Sequence, residues 1–194
     1  MDFAGNGKRI FNSLSQILEV NVKHSQRILI CTLLLLAVAV AQTASSKGAT
    51  LVSDQRLKQL LPATVFLDGE NVPTQERNAA LLQLPNGKLF LASLIDTSGY
   101  SSAYQEKYSG VLLLQTGITI GSKNLDAGAY AIGQKKNGDD VTLYVYNMGG
   151  DRVAELATQR QDSLRPVKPL QIVVADDGSV RLYLGRYGVS IAGR

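Results

Sequence analysis

The chain has 194 residues, a formal net charge of +4, one histidine, one cysteine and no tryptophan. His24 and Cys31 both precede residue 42, so residues 42–194 contain neither residue type. This composition excludes several kinds of site from that longer part: a cysteine or histidine nucleophile, a Ser-His-Asp triad, a thiolate or imidazole zinc site, and a disulfide. Chemistry that uses carboxylates alone, and binding of a hard cation, are not excluded.

An uncharged apolar run, ILICTLLLLAVAVA, occupies residues 28–41 and follows Lys23 and Arg27. Its length fits the apolar core of a secretory signal, ~7 to 15 residues, and falls short of the ~20 residues that span a bilayer. Basic residues before such a run are typical of an export signal. The run therefore predicts a protein that is exported to the periplasm or the cell exterior.

The end of this run predicts where the signal is removed. Ala39 and Ala41 form the small-x-small pattern of a cleavage site, which places the cut before Gln42. The uncharged stretch continues to residue 46, so the alternative is an uncleaved anchor over residues 28–46 that holds the protein on the outer side of the cytoplasmic membrane. A buried core helix is the third interpretation.

The rest of the chain divides by composition. Residues 1–27 form a basic region that is long for a signal, and we interpret it either as an amphipathic helix on the inner membrane face or as a start codon assigned too far upstream. Residues 42–50 are small and polar, as in a flexible lead-in. Residues 51–194 are expected to form a single domain. Its charges are nearly balanced and no basic stripe interleaves with aromatic residues, which excludes a nucleic-acid partner.

A short helix is expected at the start of this domain. Ser53 can cap the helix and Pro62 ends it. Leu57, Leu60 and Leu61 would then share one apolar face, which would pack on the rest of the domain.

Strand signals dominate after this helix. Three turn dipeptides separate apolar or alternating runs, and each supplies the positive φ angles of a tight hairpin. They are Asn86-Gly87, Asn137-Gly138 and Asp177-Gly178. Further strand candidates are residues 64–67, 110–115, 118–120, 129–133 and 152–157. Roughly eight to ten short, alternating strands predict an all-β domain, namely an antiparallel β-sandwich or an open barrel with a short N-terminal helix.

The motif LIDTSG at residues 94–99 resembles the active-site turn of aspartic proteases. In that family two such carboxylates share one proton and activate water, so a single copy at Asp96 implies a homodimeric hydrolase. The motif departs from the family because Ser98 stands where glycine directly follows Asp-Thr. The alternative is a strand that ends in an Asx turn, with the Asp96 side chain bound to backbone amides.

Tyr100, Tyr104 and Tyr108 follow this motif at intervals of four, which would place them on one face of a helical turn. Tyrosine and serine are common in adaptable binding surfaces. The segment is therefore a candidate contact surface, with the three rings as apolar anchors and with Asp96 and Ser98 fixing the turn. The alternative is that the rings pack on the sheet and leave only their hydroxyl groups in solvent.

Three further patterns suggest other sites. GAYAIGQ at residues 128–134 lacks the lysine of a phosphate loop and indicates a strand. The acidic pairs at 139–140 and 176–177 lack the spacing of a calcium loop and are interpreted as hairpin turns, so neither a metal nor a cofactor is expected. A basic connection contains Arg160, Arg165 and Lys168. It could meet an anionic surface, although a solvated loop is the simpler interpretation.

Several segments together resemble a group of small exported bacterial β-rich proteins of unassigned function. They are QERN at 75–78, the segment 94–101 with Lys107-Tyr108, LDAGAY at 125–130 and RLYLGR at 181–186. The likeness covers most of residues 63–190 and implies a β-sandwich and export, but no activity. It adds Arg77 and Asn78 to the segment from Asp96 to Tyr108 as the places to examine.

Together these observations predict an exported, non-catalytic β-domain that acts as a binding or structural module in the cell envelope. Its partner would be an envelope protein or a surface polymer. Two alternatives remain open. One is the homodimeric hydrolase that uses Asp96, and the other is a membrane-tethered accessory subunit of an envelope complex, held by residues 28–46.

Overall fold

The computed structural model describes residues 48–194, which contain fourteen strands and two short helices. The strands are β1 (Thr50–Leu51), β2 (Thr64–Leu67), β3 (Glu70–Gln83), β4 (Leu89–Ile95), β5 (Gly110–Leu114), β6 (Ile118–Ile120), β7 (Lys123–Leu125), β8 (Gly128–Asn137), β9 (Asp140–Asn147), β10 (Arg152–Ala157), β11 (Gln159–Arg160), β12 (Leu170–Val174), β13 (Val180–Leu184) and β14 (Tyr187–Gly193). Helix α1 (Asp54–Leu60) lies between β1 and β2, and helix α2 (Ser102–Lys107) lies between β4 and β5.

The strands form two antiparallel sheets. The first sheet has eight strands in the order β1-β3-β4-β5-β8-β9-β10, and β2 also pairs with β3. The second has six strands in the order β12-β13-β14-β6-β7, and β11 also pairs with β14. Within residues 48–194, no strand of one sheet pairs with a strand of the other. The two end strands of each sheet do not pair with each other either, so both sheets are open. The predicted all-β, antiparallel class is confirmed.

A core shared by both sheets fills the space between them. Alternation along each strand sends one set of apolar side chains inward, and this set includes Phe90, Leu112 and Ile132 of the first sheet and Ile120 and Leu182 of the second. All five are fully buried. Burial of each such side chain stabilises the fold by about 1.5–3 kcal/mol. The two layers therefore pack face to face in a sandwich-like arrangement.

The outer face of the first sheet is also covered, in two separate places. Near one end, Leu57 of α1 packs on Leu81 and Leu91. Elsewhere on this face, the hairpin of β2 and β3 packs Leu67 and Val72 on residues of β5 and β8. Because apolar layers cover both faces of its central strands, the first sheet provides a firm base for the connection that contains α2.

The hairpin turn in which both loop residues have a positive φ is not one of the three predicted. Asp68 and Gly69 form a two-residue loop between β2 and β3, and their φ angles of 51° and 87° are both positive, as in a type I′ turn. In the three predicted dipeptides only the glycine has a positive φ. Those glycines, at positions 87, 138 and 178, still close hairpins, but the residue before each keeps an ordinary backbone conformation.

The longest strand, β3, was not predicted from the sequence because its alternation is interrupted. Pro73 lies within it, and the pairing with β4 shifts register between Thr74 and Ala79. Glu76 and Arg77 lie in this irregular stretch and are exposed. A bulge of this kind adds residues that oppose no partner, which disrupts the period of two that identifies a strand.

Helix α1 is confirmed, with two differences in detail. The Ser53 side chain forms no capping hydrogen bond; its backbone carbonyl accepts the N–H of Leu57 at 3.0 Å instead. Leu57 is buried, whereas Leu60, predicted on the same face, is 40% exposed. In a helix of seven residues, only one position of the apolar face reaches the sheet fully.

The predicted signal or anchor at residues 28–41 and the basic region before it lie outside the described residues. Within residues 48–194, neither helix is both long enough and apolar enough to cross a membrane.

Candidate functional site

The connection between β4 and β5 contains the segment predicted as a contact surface. Its second half is helix α2, whose N-cap residue is Ser101. The Ser101 Oγ accepts a hydrogen bond of 3.3 Å from the backbone N–H of Tyr104, which is the usual role of serine at this position. Tyr100 precedes the helix and Tyr108 follows it, and both rings lie on the same side as the ring of Tyr104. The predicted common face is confirmed.

The three rings form one continuous stack that reaches β9. Tyr100 and Tyr104 are stacked with centroids 5.0 Å apart. Tyr108 meets Tyr104 edge to face at 4.7 Å, and it meets Tyr146 of β9 edge to face at 5.3 Å. Such pairs contribute about 0.5–1.5 kcal/mol each beyond the area that they bury. The stack therefore fastens α2 to the outer face of the first sheet.

All three tyrosine hydroxyls donate hydrogen bonds to the hairpin of β2 and β3. The bonds run from Tyr100 to the Asn71 carbonyl, from Tyr104 to the Leu67 carbonyl at 2.9 Å, and from Tyr108 to the Asp68 carboxylate at 2.8 Å. Tyr108 is only 1% exposed, so its ring holds the connection in place and offers no surface to a partner. The rings thus pack on the sheet, and their hydroxyl groups bind the protein itself.

Asp68 joins the stack to the hairpin turn. Its positive φ is a conformation that aspartate tolerates better than most residues. Its N–H donates to the Met148 carbonyl at 2.9 Å, and its carboxylate lies against Gly150, where a Cβ atom would come within 2.7 Å. Hydrogen bonds from Tyr108 and from Lys107 hold the pKa of the Asp68 carboxyl below its ordinary value.

Lys107 provides the positive charge beside this carboxylate. Its Nζ lies 3.2 Å from Asp68 Oδ2, and 4.9 and 5.4 Å from the ring centroids of Tyr108 and Tyr146. Hydrogen bonding with Tyr108 and with Asp68 raises the pKa of Lys107, although burial acts in the opposite direction. The backbone carbonyl of Lys107 lies directly over Gly133, where a Cβ atom would come within 2.0 Å.

The directions of these pKa shifts agree with the ion pair and hydrogen bonds of the cluster. The shifts keep Asp68 and Lys107 charged, and burial raises the pKa of Tyr108, which keeps its phenol neutral. General acids and bases commonly have a pKa that has moved toward the working pH. These three groups have moved away from it, as expected of a stabilised ion pair with a neutral phenol donor.

Asp96 forms the Asx turn that was the alternative to a protease motif. Its Oδ1 accepts the N–H of Ser98 at 3.0 Å, and its own N–H donates to the Pro73 carbonyl at 2.8 Å. The side-chain and backbone hydrogen bonds of Ser98 hold the pKa of Asp96 below its ordinary value. In a shared-proton dyad one carboxyl has a raised pKa. The hydrolase hypothesis also requires a second chain, and it stays a prediction.

Arg77 and Asn78, which the resemblance singled out, take different places. Asn78 Nδ2 donates to Gln75 Oε1 at 2.8 Å, and Gln75 Nε2 donates to the Ile95 carbonyl at 3.0 Å. Asn78 therefore braces the end of β4, directly before the Asx turn. Arg77 instead lines a cavity of about 340 Å³ beside α1, and no residue of the tyrosine stack lines that cavity.

Sequence reasoning assigned no role of their own to three residues of this cluster: Asp68, Lys107 and Tyr146. A local signal was present for the first, because Asp68-Gly69 is a hairpin dipeptide between apolar runs. No local signal links the three, since they lie on a turn, a helix end and a strand that only the tertiary fold brings together.

The acidic pairs form turns, as expected. Asp177 Oδ1 accepts the N–H of Ser179 at 2.8 Å, and residues 139 and 140 lie at the hairpin of β8 and β9. Within residues 48–194, no three side chains of histidine, cysteine, aspartate or glutamate are grouped closely enough to hold a metal ion.

The chain matches no protein-family model, no curated protein and no solved structure. The interpretation of the site therefore depends on its own geometry.

Proposed function

We propose that the protein is an exported, non-catalytic binding module of the bacterial cell envelope, and that the exposed side of the 96–107 segment contacts its partner. One observation carries this proposal: the hydroxyls of Tyr100, Tyr104 and Tyr108 all bind the hairpin of β2 and β3. A surface connection of this length is therefore held in one position. Long ordered connections on a firm sheet are where binding residues concentrate in many folds.

The contact surface on this segment is the side of α2 that points away from the sheet. Ser102, Ala103, Gln105 and Glu106 are exposed there, and the half-buried ring of Tyr100 lies beside them. A tyrosine ring provides contact area at low entropy cost, and polar side chains beside it, such as Ser102, can form adaptable hydrogen bonds. Ordering a mobile side chain on binding costs about 0.5–1.5 kcal/mol, and a backbone that is already fixed avoids further costs of this kind.

Export is supported by the apolar run at residues 28–41 and by the basic residues before it. Cell fractionation tests this part of the proposal. Recovery in the soluble periplasmic or extracellular fraction, with Gln42 as the first residue, is the expected result. Recovery in the membrane fraction with residues 28–46 retained would favour the tethered accessory subunit, and recovery in the cytoplasm would contradict export.

Crosslinking in bacterial envelopes, followed by pull-down, tests the contact surface. The variant Ala103→Arg with Glu106→Arg places two long cations on the exposed side of α2. The expected result is loss of the crosslinked partner, because bulk and charge then interrupt the contact.

The matched control is Ser122→Arg with Glu155→Arg, which adds the same charge at exposed positions outside the 96–107 segment. It should retain the partner. Equal capture by both variants and by the wild-type chain would contradict the proposed contact surface. A melting curve for each variant shows that the fold is intact.

A further inference from the structure

A cleft at one edge of the sandwich is lined by residues of both sheets. Its volume is about 630 Å³. Residues of β4 and β8 line one side, and the loop at 161–169 and the turn between β13 and β14 line the other. Cavities that hold small molecules measure ~300–1,000 Å³, so this cleft is large enough for one. None of its lining residues belongs to the tyrosine stack.

Three cations line this cleft, and no carboxylate is among the lining residues. The cations are Lys136, Arg160 and Arg186. Asp162 accepts one hydrogen bond from each of the two arginines. Its Oδ1 accepts from Arg160 Nε at 2.8 Å, and its backbone carbonyl accepts from Arg186 Nη1 at 2.9 Å. Within residues 48–194, the other donors of both guanidiniums form no hydrogen bond. Free, planar N–H donors of this kind match the oxygens of a carboxylate or a phosphate.

The remaining wall of the cleft is apolar. Leu94 and Leu184 line it from the two sheets, and Val167 and Pro169 line it from the loop at 161–169. Val167 is apolar and yet 41% exposed. Binding cavities typically combine apolar walls with a few placed polar groups, because the walls provide affinity and the polar groups fix orientation.

The loop that carries Val167 is held by its own arginine. Arg165 donates hydrogen bonds of 2.7 Å to the carbonyls of Asp162 and Leu164. Of the basic residues that the sequence places in this connection, Arg165 therefore fixes the loop, whereas Arg160 lines the cleft.

Gln134 provides a second, independent observation at this cleft. Gln134 lines this cleft and also a neighbouring cavity beside α2, and its Nε2 is buried without a hydrogen-bond partner in the described part of the chain. A buried donor without an acceptor costs folding free energy. An oxygen atom that enters the cleft and bonds this amide would remove that cost.

We propose that this cleft binds a small organic anion, with a carboxylate or phosphate group between Arg160 and Arg186 and a short apolar body against Val167 and Leu184. Lys136 adds attraction for the charge, and Gln134 donates to an oxygen of the ligand. This site does not depend on the contact surface of α2, so either proposal can fail while the other stands.

Calorimetric titration of the full chain with hexyl phosphate, hexanoate and the neutral alcohol hexanol tests the site. Saturable binding of at least one anion, weakened by added salt, is the expected result, and the preferred anion identifies the head group. Hexanol should bind at least about tenfold more weakly, since it lacks the charge that the arginines recognise. Absence of saturable anion binding, or equal binding of hexanol, would overturn the proposal.

Variants assign the binding to these residues. The double variant Arg160→Gln with Arg186→Gln should weaken binding by about tenfold or more. Asp162→Asn should strengthen it, because the competing carboxylate on Arg160 is gone. Arg152→Gln is the matched control, since Arg152 is equally exposed and also pairs with a nearby carboxylate, but lies outside the cleft. Unchanged binding in the double variant would contradict the assignment.

A measurement on the unmodified chain keeps the test independent of how the variants fold. Phenylglyoxal labels accessible arginines, and mass spectrometry reports the extent at each position. Hexyl phosphate should slow labelling of Arg160 and Arg186 and leave labelling of Arg152 unchanged. Equal protection of all three, or of none, would count against binding in the cleft.

Discussion

The hydroxyl of Tyr108 donates a hydrogen bond of 2.8 Å to the carboxylate of Asp68, which lies 40 positions earlier in the chain. Tyr108 ends the α2 connection, and Asp68 forms the turn of the β2–β3 hairpin. This one bond therefore joins the two structures that cover the same part of the first sheet. Lys107 binds the same carboxylate oxygen at 3.2 Å, so the helix end supplies both of its donors.

Tyr108→Phe should lower the free energy of unfolding by about 1 kcal/mol, because the buried ring keeps its packing while Asp68 loses a donor. Urea denaturation at neutral pH measures the change. Tyr130→Phe is the control, since the Tyr130 hydroxyl donates at 3.1 Å to the Asp126 carbonyl at an exposed position. It should cost less than about 0.5 kcal/mol. An equal loss in both variants would show that the Tyr108–Asp68 hydrogen bond contributes no more to stability than the exposed bond of Tyr130.

Asp68→Asn should remove an acid-sensitive part of the stability. The folded-state pKa of Asp68 lies below its ordinary value of 3.8, so the carboxylate contributes stability that is present above that value and is lost as the pH falls through the folded pKa. Asparagine tolerates the positive φ of this position, so the turn is retained. The wild-type chain should therefore be more stable than the variant at neutral pH, and the difference should shrink in acid.

Urea denaturation at a series of pH values measures this difference. Asp68→Asn in the Tyr108→Phe background provides the check, since the two residues interact and their effects should not add. A difference that stays constant down to strongly acidic pH would contradict the assignment of the low pKa to Asp68.

The tyrosine stack should resist ionisation in alkali. Burial first, and then the neighbouring charges, raise the pKa of Tyr104, and burial also raises the pKa of Tyr108. A raised folded-state pKa contributes stability that is complete below the ordinary value of 10.0 and is lost as the pH rises through the folded pKa. In an alkaline titration followed by the ultraviolet absorbance of phenolate, a fraction of the tyrosines should ionise only at high pH, together with unfolding. Tyr104→Phe should reduce that fraction, and an unchanged titration curve would contradict the prediction.

Gly133→Ala should destabilise the protein by about 2–4 kcal/mol, because the new methyl group would collide with the Lys107 carbonyl and push α2 off the sheet. The matched control is Gly99→Ala, in the same connection, where no atom lies within 4 Å of the added Cβ position. That change should stay within about 0.5 kcal/mol of the wild-type value. Thermal or urea denaturation measures both. Similar stability of the two variants would show that α2 can move away at low cost.

Much of the fold follows from local sequence patterns. Alternating residues and glycine turns correctly indicated the strands on both sides of Asn137-Gly138 and of Asp177-Gly178. Val141, Leu143 and Val145 are buried together, as a period of two requires. The long strand β3 escaped prediction because its bulge and Pro73 interrupt the period. The Asx turn at Asp96 was among the local alternatives, since its side chain bonds a backbone group only two residues away.

By itself, the amino-acid sequence determined the class of fold, the absence of histidine and cysteine chemistry from residues 42–194, and the common side of Tyr100, Tyr104 and Tyr108. Those properties depend on composition and on neighbours a few positions apart. Only the tertiary structure decided that the tyrosine hydroxyls bind the β2–β3 hairpin, and that Arg160 and Arg186 line one cleft. Such contacts join residues far apart in the chain, and strand order and register bring them together.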